Sequence, residues 1–322
     1  MTSWCLQPAL ATHRGLHRTR NEDSVNYLYP TNNGLRQQYG AIFVIADGVG
    51  GMKGGLNTSY ITVTLLMEQY YKSKAATIEA RLTEGIHLAN QTVFQQFSGK
   101  SASTVVAAVF HGTDLIVAHV GDSRAYWITR SGISPLTEDH TVNVREKGRT
   151  KSKLNRAVGL KPSVQPDVIR LPALLHGTLL LVTDGVTNYL KDKQLERIIL
   201  NSEPAAAVAT IVAEANRAGG MDNITAAAVH VMSPCQDAAS AVKHIQQLER
   251  DPILTTDGSP TKGLLITGKF QIDAPEPIPE PDIKRHTQSI PLSQGERALY
   301  IIPLVILAIG LLLALWVLLR PV

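Results

Sequence analysis

Cysteine is scarce in this chain, with only Cys5 and Cys235 among 322 residues. That leaves no disulfide framework and no cysteine zinc site, and it suits a reducing compartment. Aromatic residues make up 5% and charged residues 18%, and the formal net charge is only +4. A dedicated nucleic-acid binder carries a larger positive excess, so nucleic acid is not an expected partner. Glycine (24) and proline (17) are too few for a collagen-like or low-complexity chain. The glycine-rich stretch from Gly48 to Gly55 lacks a Lys-Ser/Thr ending, which disfavours a P-loop nucleotidase. A Cys-x5-Arg phosphatase loop and a kinase glycine loop are also missing. The opening MTSWCLQPALATHRG has no apolar run of signal-peptide length. What remains is a chain that is 44% hydrophobic and long enough for a sizeable buried core.

One long hydrophobic run is present. Ile301 to Leu319 carries no charge. As a helix it would span roughly 28 Å, close to a hydrocarbon core of about 30 Å. A buried core helix would keep a polar stripe, and this run has none. Residues 299–320 are therefore expected to be a transmembrane tail anchor, with Trp316 as an interfacial aromatic. Lys284, Arg285 and Arg297 precede the span and only Arg320 follows it, so the positive-inside rule places the N-terminal portion in the cytoplasm. Upstream, Pro275, Pro277, Pro279 and Pro281 alternate with other residues. That spacing favours extended chain, and residues 234–298 are expected to be a semi-rigid linker.

Residues 1–233 alternate apolar β-rich runs with helical patterns. AIFVIA (41–46), TVVAAVF (104–110) and LLLVT (179–183) are uninterrupted apolar runs, implying sheets covered on both faces. Leu115 to Val120, the Gly121-Asp122-Ser123 segment and Arg124 to Thr129 read as a hairpin. Helical patterns cover 58–72, 77–97, 191–200 and 204–218. This succession predicts α+β layering rather than strict βαβ winding.

The aspartates carry the chemistry. Asp23, Asp47, Asp122, Asp184 and Asp222 each sit at a strand edge beside a small or turn-forming residue. A carboxylate there has a rigid support and can face a cleft. Several of them together repel one another, and a hard divalent cation such as Mg²⁺ or Mn²⁺ neutralises such a set. Each Asp-Gly taken alone is equally a simple turn.

The blocks His17-Arg-Thr-Arg-Asn-Glu-Asp-Ser24, Ala46-Asp-Gly-Val-Gly-Gly51, Ser103-Thr104, Val120-Gly-Asp-Ser-Arg-Ala-Tyr126, Leu136-Thr-Glu-Asp-His-Thr141, Val182-Thr-Asp-Gly-Val186 and Gly220-Met-Asp-Asn-Ile-Thr225 follow in that order. This resembles the metal-dependent protein phosphatase 2C family, bacterial type, over about residues 5 to 232. The resemblance implies an α-β-β-α sandwich of two antiparallel sheets flanked by helices. It also implies two Mn²⁺ or Mg²⁺ ions in a cleft, with a third, weaker ion in bacterial members. Block by block, Asp47 would bridge the two metals, the Gly48 carbonyl would bind one, and Asp184 and Asp222 would complete the pair. Asp23 and Glu22 would hold metal-bound waters or lie behind the ligands. Asp122, with Asp184, matches the third-ion pair. Arg18 matches the arginine that grips the substrate phosphate, and Thr104 and Asn223 match supporting positions.

The implied activity is hydrolysis of phosphoserine and phosphothreonine by a water activated between two metals. Phosphoproteins would be the substrates and a separate Ser/Thr kinase the opposing partner, and the apolar tail would tether the enzyme to a bacterial inner membrane. Two competing readings remain: a catalytically silent phosphatase-like binding module, and a metal phosphatase for small phosphorylated molecules. Val49 stands where eukaryotic members often have a histidine proposed as the leaving-group acid, so a side-chain acid is not expected there. The Asp-His-Thr block around His140 looks structural in the family. Arg145, Lys147, Arg149, Lys151 and Lys153 form a basic run, read either as a solvated loop or as a flap attracting phosphorylated substrates.

Overall fold

The computed structural model describes residues 3–30, 33–49, 54–146, 149–172, 177–235 and 254–255. The tail segment 299–320 and almost all of the linker 234–298 lie outside them. Among the described residues no helix is long and apolar enough to cross a membrane.

Two sheets face each other. The first has the order β14-β1-β13-β12-β7-β8, built from β1 (Ser3–His13), β7 (Arg124–Thr129), β8 (Gly132–Pro135), β12 (Thr178–Val182), β13 (Ile224–Cys235) and β14 (Leu254–Thr255). The second has the order β11-β6-β5-β3-β2, from β2 (Asp23–Leu28), β3 (Ala41–Val49), β5 (Val105–His111), β6 (Asp114–Val120) and β11 (Asp167–Pro172); the short β4 (Ala102–Ser103) pairs with the end of β3. All pairings are antiparallel except β1 with β14. Helices α2 (Gly55–Lys72) and α3 (Ile78–Phe97) cover the second sheet, and α5 (Asp192–Leu200) and α6 (Pro204–Arg217) cover the first. The short helices α1 (Asn33–Tyr39) and α4 (Asp184–Thr187) complete the set. The expected α-β-β-α sandwich is present.

Strand parity explains why the apolar runs are unbroken. Along β3, Phe43 and Ile45 face the other sheet, whereas Ile42, Val44 and Ala46 face α2 and α3. In β12, Leu179 and Leu181 point between the sheets, and Leu180 and Val182 meet the helices. A strand buried on both faces has no polar alternation to show. Leu66, Leu82 and Ile86 are fully buried between α2, α3 and the sheet; each such side chain contributes roughly 2 kcal/mol. The two helices approach so closely that a Cβ on Gly85 would lie 2.9 Å from the Leu66 carbonyl oxygen.

Three expectations need correction. The Leu115–Thr129 hairpin does not exist: β6 pairs with β5 and β11, whereas β7 pairs with β12 and β8. The Gly121-Asp122-Ser123 segment therefore crosses from one sheet to the other, because each strand buries its faces in a different layer. The basic run is not a loop but a hairpin of its own, β9 (Thr141–Glu146) with β10 (Arg149–Leu154), which leaves the flap reading open. Its register sets Lys151 opposite Val144 and Lys153 opposite Val142, while Arg145 lies opposite Thr150 and so on the other face. The linker boundary also moves: β13 runs through Cys235, and Leu254 and Thr255 pair with Ala11 and Thr12 at the edge of the first sheet.

Candidate active site

Register aims the first two carboxylates. Asp23 and Asp47 are direct cross-strand partners, as are Val25 with Ile45 and Tyr27 with Phe43. Residues two apart share a face, so both aspartates stand on the side that packs against the opposite sheet, where the Tyr27 and Phe43 rings stack at 5.7 Å. They lie beyond the end of the apolar filling. From the other sheet, Asp184 opens α4 directly after β12, and Asp222 precedes β13. The crossover delivers Asp122. The five aspartates singled out in the sequence thus come from both sheets to one end of the sandwich.

Their electrostatics confirm the convergence. Burial pushes the Asp47 carboxyl well above the ordinary carboxylate range, and Asp23, Asp184, Asp222 and Asp122 push it further. Burial also raises Asp23 to about 7, with Asp184 and Asp222 adding to it and hydrogen bonds from Thr225 and Thr183 opposing. Asp122 reaches about 7 through burial, then Asp184 and Asp139. Asp184 is raised by burial and Asp222, and Glu22 by burial, with Asp222 adding. Oxygen Oδ1 of Asp23 and Oδ1 of Asp184 are buried with no protein hydrogen-bond partner. Buried, mutually repelling, unpartnered oxygens of hard-donor type fit a divalent cation. Asp23, Asp47, Asp122, Asp184, Asp222 and the Gly48 carbonyl are the groups able to hold such ions.

Arg18 is the cationic member. Its Nη2 donates to Asp222 Oδ2 at 2.8 Å, and its side chain is 45% exposed. Burial works against its charge, but Asp222, Glu22 and Asp47 outweigh it and hold the guanidinium protonated. An exposed guanidinium beside a carboxylate cluster can present a planar fork to an anion.

The supporting positions act through the backbone. Thr104 Oγ1 accepts from the Asp47 N–H at 2.9 Å and shares a 2.6 Å hydrogen bond with the Ser123 hydroxyl, tying β3 to the crossover that carries Asp122. Asn223 Nδ2 donates to the carbonyls of Arg14 and Arg20, and its Oδ1 accepts from the Glu22 N–H. One side chain therefore sets the path of the whole loop holding Arg18. Gly48 lies so close to α2 that an added Cβ would meet the Gly55 carbonyl at 2.1 Å.

The structure adds residues that sequence reading left unassigned. The Thr183 and Thr225 hydroxyls donate to Asp23 Oδ2 at 2.9 and 2.6 Å, and Thr225 is linked to Thr12 and thence to Asn21. Their only signal in the sequence is adjacency: Thr183 precedes Asp184, and Thr225 closes the block begun by Asp222.

Among the described residues, the group whose potential ligand atoms lie within 4.8 Å of one another is a different one, His119, His140 and Asp167. These atoms are already engaged. The Gly121 N–H donates to His140 Nδ1 at 3.1 Å, and the His140 N–H donates back to the Gly121 carbonyl at 2.9 Å. His140 Nε2 reaches Asp167 Oδ2 at 3.0 Å, Arg156 binds the other oxygen of Asp167, and His119 Nε2 faces the Glu138 carbonyl. Burial lowers the His140 pKa, in keeping with a neutral ring whose Nδ1 accepts. His140 braces the crossover and is not a proton donor to the cleft. Cys5 is disulfide-bonded, which removes it as a thiol nucleophile and corrects the expectation, drawn from two scarce cysteines, of a chain without disulfides.

A family profile described as "Protein phosphatase 2C" matches residues 11–153. The chain is 30% identical over 253 residues to the serine/threonine phosphatase stp of Listeria welshimeri, covering 71% of this chain and 98% of that protein. It is also 30% identical over 245 residues to protein phosphatase PhpP of Streptococcus pneumoniae, covering 70% and 97%. The fold matches the serine/threonine phosphatase PstP/Ppp of Mycobacterium tuberculosis with TM-score 0.61 at 24% identity, over 71% of this chain and 99% of that one. A PstP catalytic domain solved with two manganese ions matches with TM-score 0.60 at 25% identity, over 71% and 99%.

Proposed function

Because the chain belongs to the protein phosphatase 2C family, we propose that it is a metal-dependent serine/threonine protein phosphatase. The observation that carries this reading is the meeting of Asp23, Asp47, Asp122, Asp184 and Asp222 around unpartnered buried oxygens beside an exposed arginine. No member of the carboxylate set is lost, which speaks against a silent binding module.

Two divalent ions held by Asp47, the Gly48 carbonyl, Asp184 and Asp222 would supply an acidified water and neutralise charge on the phosphoryl oxygens. Asp122 and Asp184 would hold a third. The chain's own groups do the rest. Arg18 binds and orients the phosphate with its fork, and Asp222 keeps that fork aimed. Asp23, fixed through Oδ2 by Thr183 and Thr225, keeps a buried Oδ1 without a protein partner and can accept a proton there. Val49, 37% exposed, offers none, so the leaving-group proton comes from water rather than a side chain at that position.

The tail segment 299–320 tethers the enzyme to a membrane and leaves the catalytic domain cytoplasmic, where a membrane-associated Ser/Thr kinase would supply its substrates. Support for this comes from the apolar run and its flanking charges alone.

The deciding experiment uses the full-length chain in detergent, an aryl phosphate and a phosphothreonine peptide, each with Mn²⁺, Mg²⁺ or chelator. Turnover of both substrates only with metal, and a loss on the order of a thousandfold in Asp184→Ala, is the expected result. Metal-independent turnover, or full activity in that variant, would sink the mechanism. Recovery of the full-length chain in the soluble fraction without detergent would remove the tether.

A further inference from the structure

The rim of this cleft carries apolar side chains where solvent would favour polar ones. Of the exposed large apolar residues among those described, the two most exposed are Leu16 at 63% and Met221 at 57%. Both neighbour the phosphate-binding pair without belonging to it. Leu16 is two residues from Arg18, and Met221 immediately precedes Asp222, the partner of Arg18.

The backbone holds the two together. The Leu16 N–H donates to the Gly220 carbonyl at 2.7 Å. Gly220 has φ +54°, and a Cβ there would meet Leu16 Cγ at 2.8 Å. Gly219, at φ +156°, lies against the Tyr189 ring, whose hydroxyl accepts from the Met221 N–H at 3.1 Å. Only glycine suits both positions, because positive φ and the close approach each penalise a side chain. The turn is thereby thin enough for Leu16 to lie across it. Leu16 and Met221 thus form an exposed apolar shelf on a glycine-built turn, beside the Tyr189 ring and next in the chain to Arg18 and Asp222.

Isolated exposed apolar residues are ordinary on a protein surface. Two at highest exposure, fixed to one backbone seam and abutting the anion site, are not scattered. We propose that this shelf receives a large apolar side chain adjacent to the phosphoresidue of a phosphopeptide, and so sets a sequence preference; the proposal rests on the phosphatase reading above. Its occupant follows from continuity. With a phosphate held at Arg18, a residue flanking the phosphoresidue would pass Leu16, two positions from Arg18, and Met221, next to its partner Asp222, where burial of apolar area is favourable.

The test compares two phosphothreonine peptides that differ only in having Leu or Ser on both sides of the phosphoresidue, with an aryl phosphate as a third substrate, all with Mn²⁺. The full-length wild type should favour the Leu-flanked peptide by about tenfold in kcat/KM, mostly through KM. The double variant Leu16→Ser/Met221→Ser should lose that preference and keep aryl phosphate turnover within about twofold. Met221→Lys alone, a change at an exposed side chain, should shift the preference toward an Asp-flanked peptide. Equal rates on both peptides in the wild type, or an unchanged preference in the double variant, would overturn the shelf. A parallel fall on aryl phosphate would overturn it too, by showing that Leu16 and Met221 merely support the site. Sedimentation showing a wild-type dimer that the double variant abolishes would assign the shelf to a second copy of the chain. A wild type without Mn²⁺-dependent aryl phosphate turnover would instead refute the phosphatase reading beneath it.

Discussion

Removing the cation should make this protein less stable as pH rises, and the structure sets the scale. Asp23 is the informative group. Burial, aided by Asp184 and Asp222, holds its folded pKa at about 7 against the ordinary 3.8. A carboxyl raised in the fold keeps a proton that the unfolded chain has lost. Its contribution to stability is fully present below about pH 4 and disappears as pH climbs through about 7. Between about pH 5 and about pH 8 one such group accounts for roughly 2 to 3 kcal/mol. For a domain of this size that is roughly 5 to 10 °C in Tm. His140 works in the opposite sense. Burial lowers its pKa from 6.5, so the unfolded imidazole takes up a proton first and stability is lost as pH falls through about 6.5. Comparison with Asp23→Asn cancels that contribution. The assay is thermal unfolding of the chelated full-length chain by near-ultraviolet circular dichroism across this pH range, wild type against Asp23→Asn. The wild-type Tm should fall relative to the variant by about 5 to 10 °C toward pH 8. Saturating Mn²⁺ should raise the wild type more at pH 8 than at pH 5, by about 2.7 kcal/mol at a hundred times its Kd. Parallel pH curves for the two proteins would refute the claim that repulsion and burial at Asp23 are relieved by a cation.

Three further outcomes can be checked. Arg18→Lys keeps the charge but loses the planar fork, so kcat/KM for an aryl phosphate should fall about tenfold or more; an unchanged value would remove Arg18 from phosphate binding. Reversing the hairpin charge with Arg149→Glu and Lys151→Glu should raise KM for phosphopeptides and leave an aryl phosphate untouched, because steering acts on extended charged substrates; equal effects on both would count against it. Gly85→Ala should cost about 2 kcal/mol in chemical denaturation with metal affinity preserved, since its Cβ would press on the Leu66 backbone; a neutral effect would show that α2 and α3 can separate freely.

Much of the architecture was legible in the chain. The two-faced apolar strands β3, β5 and β12 follow from short apolar runs bounded by turn residues, and the amphipathic helices over them from their periodicity. The α3 start is marked by Thr77, whose hydroxyl accepts from the Ala80 N–H. The five strand-edge aspartates, each beside a turn residue, were visible as one-letter neighbours. Strand β1 was not, because MTSWCLQPALATH lacks a clean alternation. The basic run could not show its pairing either, since alternating charge suits a loop and a solvated strand equally.

The linear order of blocks supplied the candidates for the site: the carboxylates, the arginine, the supporting threonine and asparagine. Only the tertiary structure decided where they point. Register placed Asp23 opposite Asp47 on the inner face, and a one-residue slip of β2 would have sent Asp23 toward the helices. The Gly121–Ser123 segment became a crossover rather than a turn because β6 and β7 bury their sides in different sheets, and that alone brings Asp122 to the others. Sequence carries local preference, whereas convergence of charge from both sheets is a long-range consequence of burying two apolar faces at once.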